Sequence, residues 1–357
     1  MFYCSGVLEI LTQQLADKQS LSDPEVAGAV EALTRQDVAP EIKAEFLAAL
    51  ARKGEVVSEI AAFARELRAK SLAPPLDAET RSRPMLDVCG TGGDRLNTFN
   101  ISTTVALILA SAGVTVAKHG NRAITSQAGS ADVLEALGIK IDLEPEEAAR
   151  GLREHHFAFF FAPKYHPAFR EIAPARKLCA ARGQRTIFNF LGPLLNPARP
   201  AAQLIGVPRP ELCQPIGQVL QLLGARRGMV VSGAVFIGGT VSHLDELSTL
   251  GDNCVAEFYQ ERAFSVTMLS PGNFPVQRAE LADLAGGDRQ ANAQIVRRLL
   301  RGEERGPKRD AVLLNSAAAL FVAEKARSLT EGWELAEELV DSGKSLAKLE
   351  ELARVWK

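Results

Sequence analysis

From Val7 to about residue 70 the apolar positions recur at helical spacing. Val7, Leu8, Ile10, Leu11 and Leu15 mark a first amphipathic stretch. Ser22-Asp23-Pro24-Glu25 then combines an N-cap, a proline in the first turn and the glutamate of a capping box. Pro40 opens a further helix with Ile42, Phe46, Leu47 and Leu50 on one face, Gly54 breaks it, and Val56 to Lys70 reads as another. Such helices can form a small bundle or a dimer surface, and their pattern fits both. Leu72-Ala73-Pro74-Pro75 and Arg81-Ser82-Arg83-Pro84 then interrupt the periodicity as a linker.

Beyond the linker, short apolar runs alternate with helical patterns. Met85 to Val88 reads as a strand that runs into Gly90, Gly92 and Gly93. A helix capped by Asn100 or Ser102 follows; Val105, Leu107, Ile108 and Leu109 make it apolar all round, so it is expected to be buried. Ser111-Ala112-Gly113 ends it, and Val114 to Ala117 is a second strand. Helices are expected at Ala131–Leu137, from Glu144-Pro145 through His155, at Ala168–Arg182, Glu211–Leu223, Ala311–Ala326 and Leu335–Trp356. Strands are expected at Phe157–Phe161, Gln203–Val207 and Gly228–Val231. The aromatic run Phe157–Phe161 is read as core rather than as a base-stacking platform. Strands alternating with helices predict an α/β fold: a small N-terminal α-helical domain plus a larger α/β domain with a mostly parallel central sheet.

Composition removes some function classes. The chain has 357 residues, is 46% hydrophobic and 24% charged, and carries a formal net charge of −2, so nothing marks a nucleic-acid or membrane surface. Cys4, Cys89, Cys179, Cys213 and Cys254 form no Cys-x-x-Cys pair. Scattered cysteines suit a reducing cytoplasm, with each thiol a small core residue. No basic start precedes the first apolar residues, so no signal peptide is expected, and no apolar run reaches membrane-spanning length.

The loops at consecutive strand ends carry the chemistry. Gly90 to Gly93 can bring bare backbone N–H groups up to an anion. The helix N-terminus at Asn100–Thr103 faces the same space, and the second strand delivers Lys118 and Arg122 into the next loop. N–H groups, hydroxyls, a lysine and an arginine favour oxyanions, phosphate above all. Asp94 repels phosphate and instead suits ribose hydroxyls or a divalent cation. The pattern is neither the dinucleotide fingerprint, whose third glycine is missing, nor a P-loop, since no Gly-Lys-Ser/Thr follows.

Gly90-Thr91-Gly92-Gly93-Asp94, Asn100-Ile101-Ser102-Thr103, Lys118-His119-Gly120-Asn121-Arg122-Ala123, Thr125 to Asp132 and Thr186 to Pro197 together resemble the anthranilate phosphoribosyltransferase family along most of the chain. That resemblance implies transfer of a phosphoribosyl group from 5-phosphoribosyl 1-pyrophosphate (PRPP) to anthranilate, in the second committed step of tryptophan synthesis. It implies a cytoplasmic homodimer paired through the helical domain. The domains would be residues 1–75, with about 170–200 returning to them, and an α/β part at 83–168 and 201–357. For PRPP it implies Gly90, Gly93, Asp94, Thr98, Asn100, Ile101, Ser102, Thr103, Lys118, His119, Gly120, Asn121, Arg122, Ala123, Ile124, Thr125, Ser126 and Ser130. For anthranilate it implies Gly90, His119, Asn121, His166 and Arg176, with Arg176 as the fork for the carboxylate. His166 can equally be a satisfied structural histidine.

Asp245 and Glu246 occupy the family's acidic pair and, with Ser102, are implied to bind magnesium, two ions per subunit. Adjacent carboxylates at a strand end are otherwise commonly a solvated turn. The chain departs from the family pattern at a short insertion between Arg176 and Thr186, at a longer segment from Gly233 to Val241, and at His243, which stands where the family has glycine. No obligatory general base is assigned, because an aryl amine is a neutral nucleophile; His119 is the fallback. The alternatives are a pyrimidine nucleoside phosphorylase of the same fold, a transferase for another aromatic amine, and a non-catalytic nucleic-acid-binding paralogue. A near-neutral chain that keeps Asp245 and Glu246 speaks against the last.

Overall fold

The computed structural model describes residues 5–123, 127–260 and 263–356. Helices Ser5–Ala16, Asp23–Leu33, Pro40–Lys53 and Val57–Ala69 form the N-terminal bundle. The capping box at its second helix is made: Glu25 Oε2 accepts the Ser22 backbone N–H at 2.7 Å and the Ser22 hydroxyl at 2.6 Å.

The strands are β1 (Met85–Gly90), β2 (Thr115–Gly120), β3 (Phe157–Phe161), β4 (Ala202–Gly206), β5 (Arg227–Ile237), β6 (Thr240–Leu244), β7 (Asn253–Tyr259) and β8 (Ala263–Leu269). They form one sheet in the order β3-β2-β1-β4-β5-β7-β8, with β6 paired to β5. From β3 to β5 the pairing is parallel; β6, β7 and β8 are antiparallel additions. The registers Gly90↔Gly206 and Gly120↔Phe161 bring the ends of β1 to β4 level, so their following loops open onto one edge. That edge is where ligands sit in open parallel sheets.

Period-two alternation decides what covers each face of the sheet. Leu204, Met229, Val231 and Val255 join a core with helices Ile101–Ser111, Arg289–Leu300, Pro307–Val322 and Leu329–Asp341. Ile205, Val230, Ala256 and Phe258 face the other way, into a core shared with the N-terminal bundle and helix Cys213–Leu222. Ile172, Ala175, Phe188, Leu191, Leu194 and Leu195 also sit in that second core. Helix Ile101–Ser111 is buried along almost its whole length, as its all-round apolar surface requires.

Several expectations need correction. The stretch Leu335–Trp356 is not one helix: Leu329–Asp341 and Lys344–Val355 are separated at Gly343, whose φ of 78° no continuing helix adopts. Ala168–Arg182 divides into a 3-10 turn, Pro167–Glu171, and a helix, Ala173–Ala181, because Pro174 has no N–H to give a preceding turn. Gly228–Val231 is only the middle of an eleven-residue strand, β5. Its outer half pairs with β6 across the turn at Gly238-Gly239 and leaves Phe236 and Val241 exposed. Strands β7 and β8 and helix Arg289–Leu300 were not foreseen.

Among the described residues no helix is long and apolar enough to cross a membrane. Cys89, Cys179 and Cys213 are buried and Cys254 partly so, all as free thiols. Cys4 lies outside the described residues.

Candidate functional site

The loop after β1 is shaped by what lies across it. A Cβ on Gly90 would overlap the Asp245 carboxylate, and one on Gly206 would overlap the Asp245 carbonyl. These glycines let the 245–248 segment cross the ends of β1 and β4 in contact with their backbone. Asp245 Oδ2 accepts the Gly92 N–H at 2.6 Å, and Glu246 Oε1 accepts the Ser102 N–H at 3.2 Å. The acidic pair is therefore tied to both the glycine loop and the helix N-terminus, and is not a solvated turn. Burial, with Asp94 and Glu246 beside it, pushes the Asp245 carboxyl well above the usual carboxylate range. Burial raises Glu246 to about 7, with Lys118 opposing. Lys118 is buried, its Nζ 2.7 Å from the Val88 carbonyl and 3.4 Å from Ser102 Oγ, so its charge stands beneath the loop.

No three His, Cys, Asp or Glu side chains among the described residues form a ready-made metal cage. Asp245 and Glu246, when ionised beside Asp94, have only Lys118 as a nearby balancing charge among the described residues. That donor set fits magnesium, which binds through one or two carboxylates and completes its shell with substrate phosphate and water.

The loop after β2 is closed by Asp132, whose Oδ2 accepts the N–H groups of Ala123 and Gly129, both at 2.9 Å. Arg122 turns outward, its guanidinium 2.9 Å from Asp132 and 3.0 Å from Glu135. An expected phosphate ligand thus has its cation committed to two carboxylates, leaving backbone as its nearest offering. Asn121 is exposed and accepts the Arg122 N–H; Ser130 opens the next helix with its hydroxyl 3.4 Å from the Asn121 carbonyl. Gly93 is exposed, and Asp94 accepts the Leu96 N–H at 3.1 Å. Thr98 bridges to Ala285, Ile101 is buried, and the buried Thr103 hydroxyl lacks a partner among the described residues. Gly120 ends β2 against Ser130. Ile124, Thr125 and Ser126 lie outside the described residues.

A second group of candidate residues is a cluster of rings. His119 and His166 meet edge to face with ring centroids 5.1 Å apart; His166 stacks on Phe169 at 5.1 Å, Phe169 meets Phe188 at 5.6 Å, and the Arg176 guanidinium lies 5.2 Å over Phe188. The structure thus joins His119, His166 and Arg176 through Phe169 and Phe188, two residues that sequence reading missed. An aromatic one turn before a basic helix was the available signal. No carboxylate among the described residues pairs with Arg176, and burial lowers its pKa.

The proton positions on the two imidazoles follow from one carbonyl. Gly192 O, 3.2 Å from His119 Nδ1, can only accept, so that nitrogen carries the proton. Burial holds His119 near 3, with His166 adding to the effect, and burial holds His166 near 4; both rings are neutral at pH 7. His119 Nε2 is then a lone pair, and His166 Nε2, 3.1 Å away, donates to it. The lone pair left open is His166 Nδ1, which has no partner among the described residues. His119, the fallback base, already has its lone pair occupied.

The segment Gly192–Asn196 joins the two groups to the bundle. Its successive carbonyls accept from His119 at β2, from Gln203 at β4 (3.0 Å, to Pro193) and from buried Arg68 of the bundle (2.6 Å, to Leu194). Asn196 Nδ2 in turn donates to Asp87 at 2.8 Å and to the Ala117 carbonyl at 2.7 Å. Asp87 Oδ1 accepts the His119 backbone N–H at 3.3 Å.

The chain is similar to known proteins over nearly its whole length. Residues 10–71 match the glycosyl transferase family helical bundle domain, and residues 82–346 match the a/b domain of the same family. The chain is 45% identical to the anthranilate phosphoribosyltransferase of Petrotoga mobilis, over 95% of this chain and 94% of that protein. It is also 45% identical to that of Roseiflexus castenholzii, over 96% of each. The crystal structure of the Thermus thermophilus enzyme superposes with a TM-score of 0.85 at 41% identity, over 96% of this chain and 98% of that one. The Saccharomyces cerevisiae enzyme in complex with PRPP and Mg gives 0.84 at 26% identity, over 97% of both.

Proposed function

The chain belongs to the anthranilate phosphoribosyltransferase family, and on that premise we propose how its own residues carry the reaction. The enzyme transfers the 5-phosphoribosyl group of PRPP to anthranilate, releasing pyrophosphate, in L-tryptophan biosynthesis. The C1–O bond breaks with its electron pair leaving on pyrophosphate. The amine lone pair then closes on C1, and the amine proton departs last. Such a reaction needs charge neutralisation on the leaving group and alignment of the nucleophile.

For the donor, the exposed glycine loop around Gly93 and the N-terminus of helix Ile101–Ser111 are the diphosphate's contacts, with the buried Lys118 charge beneath them, while Asp94 suits ribose hydroxyls. Magnesium, when bound at Asp245, Glu246 and Ser102, supplies neutralising charge on the diphosphate; two ions per subunit fit this donor set. For the acceptor, Arg176 holds the carboxylate, with Phe188 beneath the guanidinium. Neutral His119 and His166 offer no positive charge to compete with it. The observation that carries this reading is the contact of Asp245 with Gly92 and of Glu246 with Ser102, which makes one site of three separate motifs.

We take residues 1–75 and about 170–200 as one unit, supported by the core that the bundle shares with residues 172–195. A cytoplasmic homodimer paired through that unit follows from the family resemblance.

Loss of anthranilate fluorescence with purified protein, PRPP and magnesium tests the reaction. Loss that requires all three components supports the reading. PRPP binding without fluorescence loss would point to another aromatic amine, and no PRPP binding would overturn the donor site.

A further inference from the structure

A segment almost two hundred residues downstream lies against the donor loop. Phe99 N donates to the Leu284 carbonyl and Gly286 N to the Asn97 carbonyl, both at 3.0 Å, while Thr98 bridges to Ala285. A Cβ on Gly286 would press on Asn292 Oδ1 at 2.7 Å and on Phe99 Cα at 2.9 Å, so the two backbones approach closely here. This segment enters helix Arg289–Leu300, where Asp288 caps the start by accepting from Gln290 N and Ala291 N at 2.9 Å. Asn292, in the first turn and 2% exposed, is therefore not needed as a cap.

Its side chain faces two ways. Asn292 Oδ1 accepts the Gly287 N–H at 2.8 Å. That backbone donor fixes the amide orientation, because only the oxygen can face an N–H. Nδ2 then donates to the Gly287 carbonyl at 3.1 Å and to Asn100 Oδ1 at 2.9 Å. The second bond fixes Asn100 in turn. With its oxygen held by Asn292, Asn100 must direct Nδ2 to the other side, where it donates to the Ala128 carbonyl at 3.3 Å. An amide Nδ2 has two hydrogens, so one donor of Asn100 remains beside the helix N-terminus.

We propose that Asn292 is a positioning residue for the donor substrate: through its hydrogen bond it holds the Asn100 amide with its N–H edge, not its carbonyl edge, toward the phosphoribosyl pyrophosphate. This rests on the reading of Asn100 as a donor-site residue. A freely rotating Asn100 amide would present its oxygen to an anion part of the time. Asn292, bound to a backbone donor, prevents this without touching the substrate.

A double-mutant cycle tests it, read by steady-state kinetics with anthranilate fluorescence and by thermal melting. Asn100→Ala is expected to raise the KM for PRPP, and Asn292→Ala to raise it about 5- to 20-fold, the scale of one buried hydrogen bond lost together with its orientation. The anthranilate KM should stay within about twofold. On the Asn100→Ala background, Asn292→Ala should add less than about twofold, since residues acting through one contact are not additive. Full additivity, or equal rises in both KM values with a lowered Tm, would make Asn292 a structural residue and overturn the proposal. No effect of Asn100→Ala would overturn the donor-site reading itself. Should Asn292→Ala not fold, Asn292→Ser carries the same cycle.

Discussion

The floor beneath Gly90–Asp94 is lined with carboxylates, whereas the cluster beside it, from His119 to Arg176, is built of rings. Burial disfavours charge in each. In the donor floor it raises Asp245 and Glu246, so ionising these acids is opposed by burial and favoured by a cation. In the acceptor cluster it lowers His119 and His166, so these bases stay neutral without help. One half is thus left electrically incomplete for a metal and a diphosphate; the other is complete except at Arg176, which waits for a carboxylate.

The largest effect expected is at the floor. Converting Asp245 to Asn together with Glu246 to Gln should lower kcat/KM on the order of 100- to 1000-fold, the scale of losing preorganised charge stabilisation, and abolish the magnesium response. The metal-free variant should melt no lower than wild type, because two groups whose ionisation burial opposes have been replaced by neutral ones. A magnesium titration and a melting curve read both, and retained activity would reduce the pair to scaffold.

Next, Arg176→Ala should raise the anthranilate KM by roughly 10- to 100-fold, as a charge-assisted hydrogen-bond pair is lost, and leave the PRPP KM nearly unchanged. Equal change in both would mean that the two regions are not separable.

The pH response should differ between them as well. Glu246 folds with its pKa raised to about 7 from 4.5, so the folded metal-free protein binds the extra proton. Its contribution to stability is therefore lost as pH rises from about 4.5 through 7. Magnesium should restore it, giving a larger magnesium-induced rise in Tm at pH 8 than at pH 6. The histidines act in the opposite sense. Their folded pKa values lie near 3 and 4 against 6.5, so their contribution is present above about 6.5 and is lost as pH falls through 4. A magnesium shift independent of pH would remove Glu246 from the metal site. The smallest effect is expected for Phe188→Leu, which removes the ring under Arg176. The anthranilate KM should rise about two- to fivefold, the scale of one cation–π contact, in the same assay.

The donor half was the more legible in the sequence, for a physical reason. It is built from contiguous loops at consecutive strand ends, where glycine, N-cap and basic residues fall in fixed order. The acceptor half draws on Phe169, Phe188 and the Gly192 carbonyl, which meet only when the chain around residues 169–195 folds into the core shared with the bundle. Nothing in the local pattern distinguishes Phe188 from core, and indeed it is buried there. Asn292 was invisible for a similar reason: one amide in the first turn of an amphipathic helix has no periodic signature. The antiparallel end was missed although Phe264, Val266 and Met268 alternate in β8. Exposure on that edge weakens the apolar contrast by which strands are recognised.

The overlap awaiting any side chain at Gly206 has a use outside chemistry. In a saturation library scored for growth, position 206 should be as intolerant as any ligand contact, although it offers no functional group. The β5–β6 turn, by contrast, ends in solvent, and an insert at Gly238-Gly239 is expected to leave Asp245 resting on Gly206. Barcodes, tags or reporter inserts therefore belong at that tip, with Gly206 held constant as the datum from which every library member is aligned.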